Sequence, residues 1–132
     1  MKKISGPLLE RIDLIVNIPH IHNSLFINEE EVEESSEAIK IRVIKARELQ
    51  KKGLSQYKLK YNSDIDFKLF KQQIPITNDA KEILEKAAKK MLLSMRSSVR
   101  ILRVAKSIAN LDLREEINKN DILEALNYKV KD

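Results

Sequence analysis

The chain has 132 residues, 34% of them charged and 42% hydrophobic, with a formal net charge of +5. That length suits one domain with a real core, and the absence of cysteine excludes disulfide frameworks, thiolate metal sites and a cysteine nucleophile together. Two glycines and three prolines are too few turn-formers for a β-sandwich or barrel, which favours a mainly helical chain. No apolar run approaches the ~18 residues of a membrane span, and no signal-peptide core opens the chain, so a soluble cytoplasmic protein without membrane contact is expected. The positive balance permits contact with polyanions without requiring it.

In chain order, Ser5-Gly6-Pro7 predicts a short helix over about 7–12, with serine as cap and proline at its start. Leu14-Ile15-Val16-Asn17-Ile18 follows, closed by Pro19, and reads as a strand buried on both faces of a parallel sheet. No second run pairs with it, and one strand cannot satisfy its own backbone groups. The sheet is therefore expected upstream, and without it this segment should be disordered or pair with another copy. An acidic stretch, Glu29-Glu30-Glu31-Val32-Glu33-Glu34, reads as a solvated linker.

From Ser35 onward the helical period dominates. Ser35 or Ser36 caps a helix to about Lys52, with Ile39, Val43, Ala46 and Leu49 or Gln50 on one face and Gly53 just past its end in the left-handed conformation. A short helix is expected near 65–72. Thr77 or Asn78 caps the next, over 79–93, whose inward face runs from Ala80, Ile83 and Leu84 to Met91 and Leu92. Ser94 opens a helix to about Leu111, carrying Val99, Leu102, Ala105, Ile108 and Ala109. Asn118 or Asn120 caps the last, burying Ile122, Leu123, Ala125 and Leu126. Four or five helices of this kind make an all-α bundle.

Few residues offer chemistry. The only glycines, Gly6 and Gly53, cannot form a phosphate-binding loop, so the chain carries neither a P-loop nor a dinucleotide fingerprint. Arg11 stands just before the apolar run, where a guanidinium on a rigid turn could meet a phosphate from another subunit or pair with Asp13. Arg96, Arg100 and Arg103 recur at helical spacing and form one stripe, which could equally be a solvated or salt-bridged face. His20 and His22 flank Ile21, but no third ligand is evident and no metal site is expected. Basic residues over 45–60, interleaved with Tyr57 and Tyr61, are a weak match to a surface that stacks on single-stranded nucleic acid.

The block Lys3-Ile4-Ser5-Gly6-Pro7-Leu8-Leu9-Glu10-Arg11-Ile12-Asp13 resembles one specific to the magnesium-chelatase-like AAA+ ATPases of the YifB/ComM group, with Glu10 where that family commonly has Asp. Ser94-Met95-Arg96, then Arg100-Ile101-Leu102-Arg103-Val104-Ala105 and Ile108-Ala109-Asn110-Leu111, is similar to a second block of the family. Lys60-Tyr61-Asn62-Ser63 and the closing Ala125-Leu126-Asn127-Tyr128 are looser matches. The resemblance covers nearly the whole chain in order. It implies the C-terminal part of such an ATPase, without the P-loop region. Residues 1–22 would be the end of the α/β core (arginine-finger helix and last strand), 23–34 the acidic linker, and 35–132 the helical lid domain.

The resemblance further implies that Arg11 is the arginine finger, acting in trans on nucleotide held by the adjacent subunit. Arg96 would be the sensor-2 arginine on an ATP phosphate, and Arg100 a further candidate for the same ligand. ATP and Mg2+ are the implied cofactors of the complete protein, bound mainly by a core absent from this chain, with none expected in the chain alone and no ATPase activity of its own. The implied partners are other subunits of a homo-oligomeric, hexameric ring, and DNA as substrate of a ComM-like motor. Two other expectations compete: a stand-alone all-α nucleic-acid-binding or adaptor domain, and a magnesium-chelatase-type subunit.

Overall fold

A computed structural model of the chain describes residues 5–9, 11–18 and 33–129. Six α-helices occur among them: α1 (Gly6–Leu9), α2 (Ser36–Leu54), α3 (Phe67–Gln72), α4 (Asn78–Lys90), α5 (Met95–Leu111) and α6 (Lys119–Asn127). Two 3₁₀ turns, Ser55–Tyr57 and Asn62–Asp64, lie between α2 and α3. No β-strand occurs among the described residues, and the molecule is a helical bundle.

The helices begin where short polar side chains can accept their first free amides. Ser35 Oγ accepts from Ala38 N at 3.1 Å, Thr77 Oγ1 from Ala80 N at 3.3 Å and Ser94 Oγ from Ser97 N at 3.1 Å. Asp66 caps α3 through Leu69 N at 2.8 Å. At α6, Asn118 and Asp121 form a reciprocal capping box.

α5 is the central element. Val99, Leu102, Ala105 and Ala109 are buried on it, as their spacing predicts, and it packs against α6 and α2. Leu54, Ile65 and Phe70 from the α2–α3 region and Ile117 and Ile122 from the α6 region complete the core. The loop before α4 and the loop before α6 are joined side by side: Ile117 N donates to Pro75 O at 2.9 Å and Thr77 N to Ile117 O at 3.0 Å, and α4 packs on α6.

Four expectations are corrected. Gly53 does not end α2 in a left-handed conformation. The helix runs through it to Leu54, which extending the helix by one residue delivers to the core, and Lys58 takes the positive φ instead, at 60°. On α2, Ile39 and Val43 are exposed, because the N-terminal half of the helix overhangs the bundle. Met91 and Leu92 also face outward: α4 stops at Lys90, and Leu92 turns the chain with φ 52° while 89% exposed. Leu123 is likewise exposed on α6.

The apolar run after Arg11 departs furthest from expectation. Residues 14–18 form no ladder; Ile15 N donates to Tyr128 O at 2.9 Å, and Leu14 and Val16 line a cavity with residues of α5 and α6. One backbone bond to the residue after α6, with Leu14, Val16 and Ile18 exposed, stands in place of the two-sided burial expected of a sheet strand. His20 and His22, and all of the acidic linker except Glu33 and Glu34, lie outside the described residues.

Candidate functional site

The arginines singled out in the sequence gather around the N-terminal half of α5. Ser94 starts that helix and sets Arg96 in its first turn, Arg100 one turn further and Arg103 in the next. α1 is a single turn closed by Arg11 N donating to Leu8 O at 3.1 Å and Ile12 N to Leu9 O at 3.1 Å, which presents Arg11 at the surface.

These cations have different surroundings. Arg11 and Arg96 are exposed, and among the described residues neither side chain makes a hydrogen bond or ion pair. Arg100 is only 13% exposed along its side chain and is committed. Its Nη1 donates to Ile12 O at 2.9 Å, with Leu9 O at 3.4 Å, and its Nε lies 3.7 Å from Asp13 Oδ1. Its Nη2 is buried and has no partner among the described residues. Arg103 Nε donates to Ile65 O at 2.9 Å and holds the loop before α3. Among the described residues, the expected stripe is thus one guanidinium without a partner followed by two that bind main-chain carbonyls. Such charge-assisted bonds are about twice as strong as neutral ones.

Further polar contacts stiffen the frame behind these arginines. Asn62, buried between α2 and α5, donates from Nδ2 to Asn110 Oδ1 at 2.9 Å and to Ser107 Oγ at 3.1 Å, while its backbone N–H donates to Gln50 Oε1 at 2.7 Å. Lys106 is buried on α5 and donates to the carbonyl of Glu115; burial holds its ammonium below the ordinary lysine range, with the Glu115 charge opposing. Arg114 grips both oxygens of buried Asp121, at 2.8 and 2.9 Å, and reaches Asp112 at 2.9 Å. Those carboxylate hydrogen bonds hold its proton even more firmly than usual. Gln50, Asn62 and Asn110 stood in stretches singled out in the sequence, but Asn62 and Asn110 are 48 residues apart, a pairing no local pattern signals.

The basic segment over 45–60 divides as well. Tyr57 is half-buried against the core, while Tyr61 is exposed beneath Arg47, whose guanidinium carbon lies 5.4 Å from the ring centre. Among the described residues, no group of three or more His, Asp or Glu side chains is arranged to hold a metal ion. No helix there is long and apolar enough to cross a membrane.

This helical bundle, with its arginine-bearing central helix, belongs to the family described as magnesium chelatase, subunit ChlI C-terminal, which residues 33–129 match. Over its whole length the chain is similar to the competence protein ComM of Haemophilus influenzae, 30% identical over 98% of this chain and 25% of that protein. It is similar also to the uncharacterized protein YifB of Salmonella typhimurium and of Escherichia coli, at 30% and 31% identity over 100% of this chain and 25% of each. The chain therefore spans about a quarter of the length of the curated relatives it matches.

Proposed function

We propose that this chain holds the end of the core and the helical lid of a ring-forming AAA+ ATPase and supplies two phosphate-contacting arginines, one from each. Arg11 is the finger that reaches nucleotide held by the neighbouring subunit, and Arg96 is the sensor that reports the phosphate from the lid. The observation that carries this reading is that Arg11 and Arg96 are exposed and, among the described residues, make no hydrogen bond or ion pair, while the other arginines of α5 bind main-chain carbonyls. A planar fork of donors suits phosphate oxygens. Arg11 and Arg96 suit an ATP phosphate; the two glycines, Gly6 and Gly53, form no phosphate-binding loop, so on this reading the ATPase core supplies most of the binding site for ATP and Mg2+. When bound, the nucleotide supplies the phosphoryl group whose developing charge Arg11 would offset, and Arg96 would draw the lid towards it.

Arg11→Ala in the complete protein should leave ATP binding nearly intact and lower turnover by roughly 10³-fold or more, the scale of a trans arginine. Arg96→Ala should weaken ATP-dependent protection of the lid from proteases. Unchanged turnover in the first variant would remove the finger assignment, and unchanged protection in the second the sensor.

We further propose six such subunits in the ring, with DNA as the substrate moved. The support for DNA is α2, whose Lys40, Arg42, Lys45, Arg47, Lys51 and Lys52 outnumber its two acids, with Tyr61 beside Arg47; the ring of six rests on the family resemblance. DNA affinity should fall steeply with salt as counterions are released. Salt-dependent DNA binding together with inert Arg11→Ala and Arg96→Ala variants would instead favour a nucleic-acid-binding adaptor.

A further inference from the structure

Arg100 joins two parts of the molecule that lie far apart in the chain. Its bond to Ile12 O spans 88 residues, and the carbonyls of Leu9 and Ile12 bracket Arg11. Asp13, on the other side of Ile12, faces the same guanidinium through Nε. One side chain therefore meets acceptors on either side of Arg11, Nη1 reaching both carbonyls while Nε faces the Asp13 carboxylate; the rigid planar fork fixes these directions, where a lysine ammonium would act as a compact point charge on a flexible stem. With two of its nitrogens engaged and its side chain largely buried, Arg100 is not free to swing out to a nucleotide. Arg96 stands one helical turn before it on the same rigid helix.

We propose that Arg100 is a positioning residue for Arg11, pinning the turn that presents Arg11 to the helix that presents Arg96. This rests on the phosphate-contact reading above. Arg100 touches no phosphate itself. It makes the finger and the sensor one body, so a shift of α5 carries the Arg11 turn with it. A cavity of about 20 Å³ lined by Asp13, Ser97 and Arg100, among others, has room for one water beside the clamp, which fits a guanidinium with one buried nitrogen unpartnered.

The first test needs no activity. Trypsin cleavage of the Arg11–Ile12 bond in the full chain, followed by mass spectrometry of the peptide beginning at Ile12, should be at least 10-fold faster in Arg100→Ala, with unchanged helical melting. Arg100→Lys should fall between, and it carries the same test if the alanine variant does not fold. An unchanged cleavage rate in the folded variants overturns the proposal whatever the nucleotide reading.

The second test uses the complete ATPase. Arg100→Ala should lower kcat about 10-fold with little change in KM for ATP, Arg100→Lys should restore part of it, and Arg100→Ala should have no further effect in an Arg11→Ala background. An equal loss in both backgrounds would mean a general structural role and overturn the proposal. Faster cleavage with an inert Arg11→Ala variant would locate the failure in the finger assignment, and the proposal would fall with it.

Discussion

α2 and α5 are similar in length, 19 and 17 residues, and both carry apolar side chains at helical spacing. Yet α5 buries eight residues and α2 only Ala46 and Leu54. The difference lies in the neighbours. α5 is flanked by α2, by α6 and by the 3₁₀ turn Asn62–Asp64, whereas only the C-terminal half of α2 meets α5. Ile41 and Ile44 also point away from Ile39 and Val43, so the apolar surface of α2 is split between two sides. An apolar face states a requirement for cover; whether cover exists is a property of the rest of the chain.

The strongest test of that contrast is a pair of truncations. Leu102→Ala on α5 should cost about 2–5 kcal/mol of folding stability, as expected for a buried leucine, while Ile39→Ala should stay within about 0.5 kcal/mol. Urea denaturation measures both, and a comparable loss for Ile39 would show that α2 is covered in solution after all.

A second test probes the charge buried within α5. Lys106 is held below its ordinary value of 10.5, so in that window the unfolded chain binds more protons than the folded one. Stability must then rise with pH there, because the burial penalty is fully present below the folded pKa and disappears as pH climbs towards 10.5. Melting curves of the native chain and Lys106→Met should therefore converge from neutral pH upward in favour of the native chain. A pH-independent difference would mean that the ammonium is solvated.

The smallest effect belongs to α2. Gly53 lies inside the helix, and a Cβ there would meet the flexible end of Glu115 at 3.4 Å. Gly53→Ala should stabilise by about 0.5–1 kcal/mol, visible as a modest rise in Tm. A loss of stability would mean that Glu115 cannot move aside.

What was legible in the sequence was local. Ser35, Thr77, Ser94 and Asn118 announce helix starts because a cap acts within three residues of itself. On α5 the period places Val99, Leu102, Ala105 and Ala109 in the core, but not the equally buried Ile101, Val104, Lys106 and Asn110. Arg96, Arg100 and Arg103, by contrast, look equivalent at their spacing, and what distinguishes them are carbonyls 88 and 38 residues away. Residues 14–18 have the composition of a sheet strand, yet their contacts are to Tyr128 and α5, which no nearby residue foretells. Leu92 fails for a related reason: the helical period carries it inward, but Leu93 N bonds back to Ala88 O at 2.9 Å, closing the helix end and turning Leu92 outward.

The buried amides of Asn62 and Asn110 have a consequence for how the bundle chooses among its near-alternatives. Aliphatic side chains tolerate being offset by a turn, since one methyl group replaces another. A one-turn slip of α2 and its following turn along α5 would part Asn62 from Asn110 and from Ser107, leaving buried amides against hydrocarbon at about 1–3 kcal/mol each. The pair thus works as an index mark that selects one alignment of two greasy rods, and with it one place for every arginine that α5 carries.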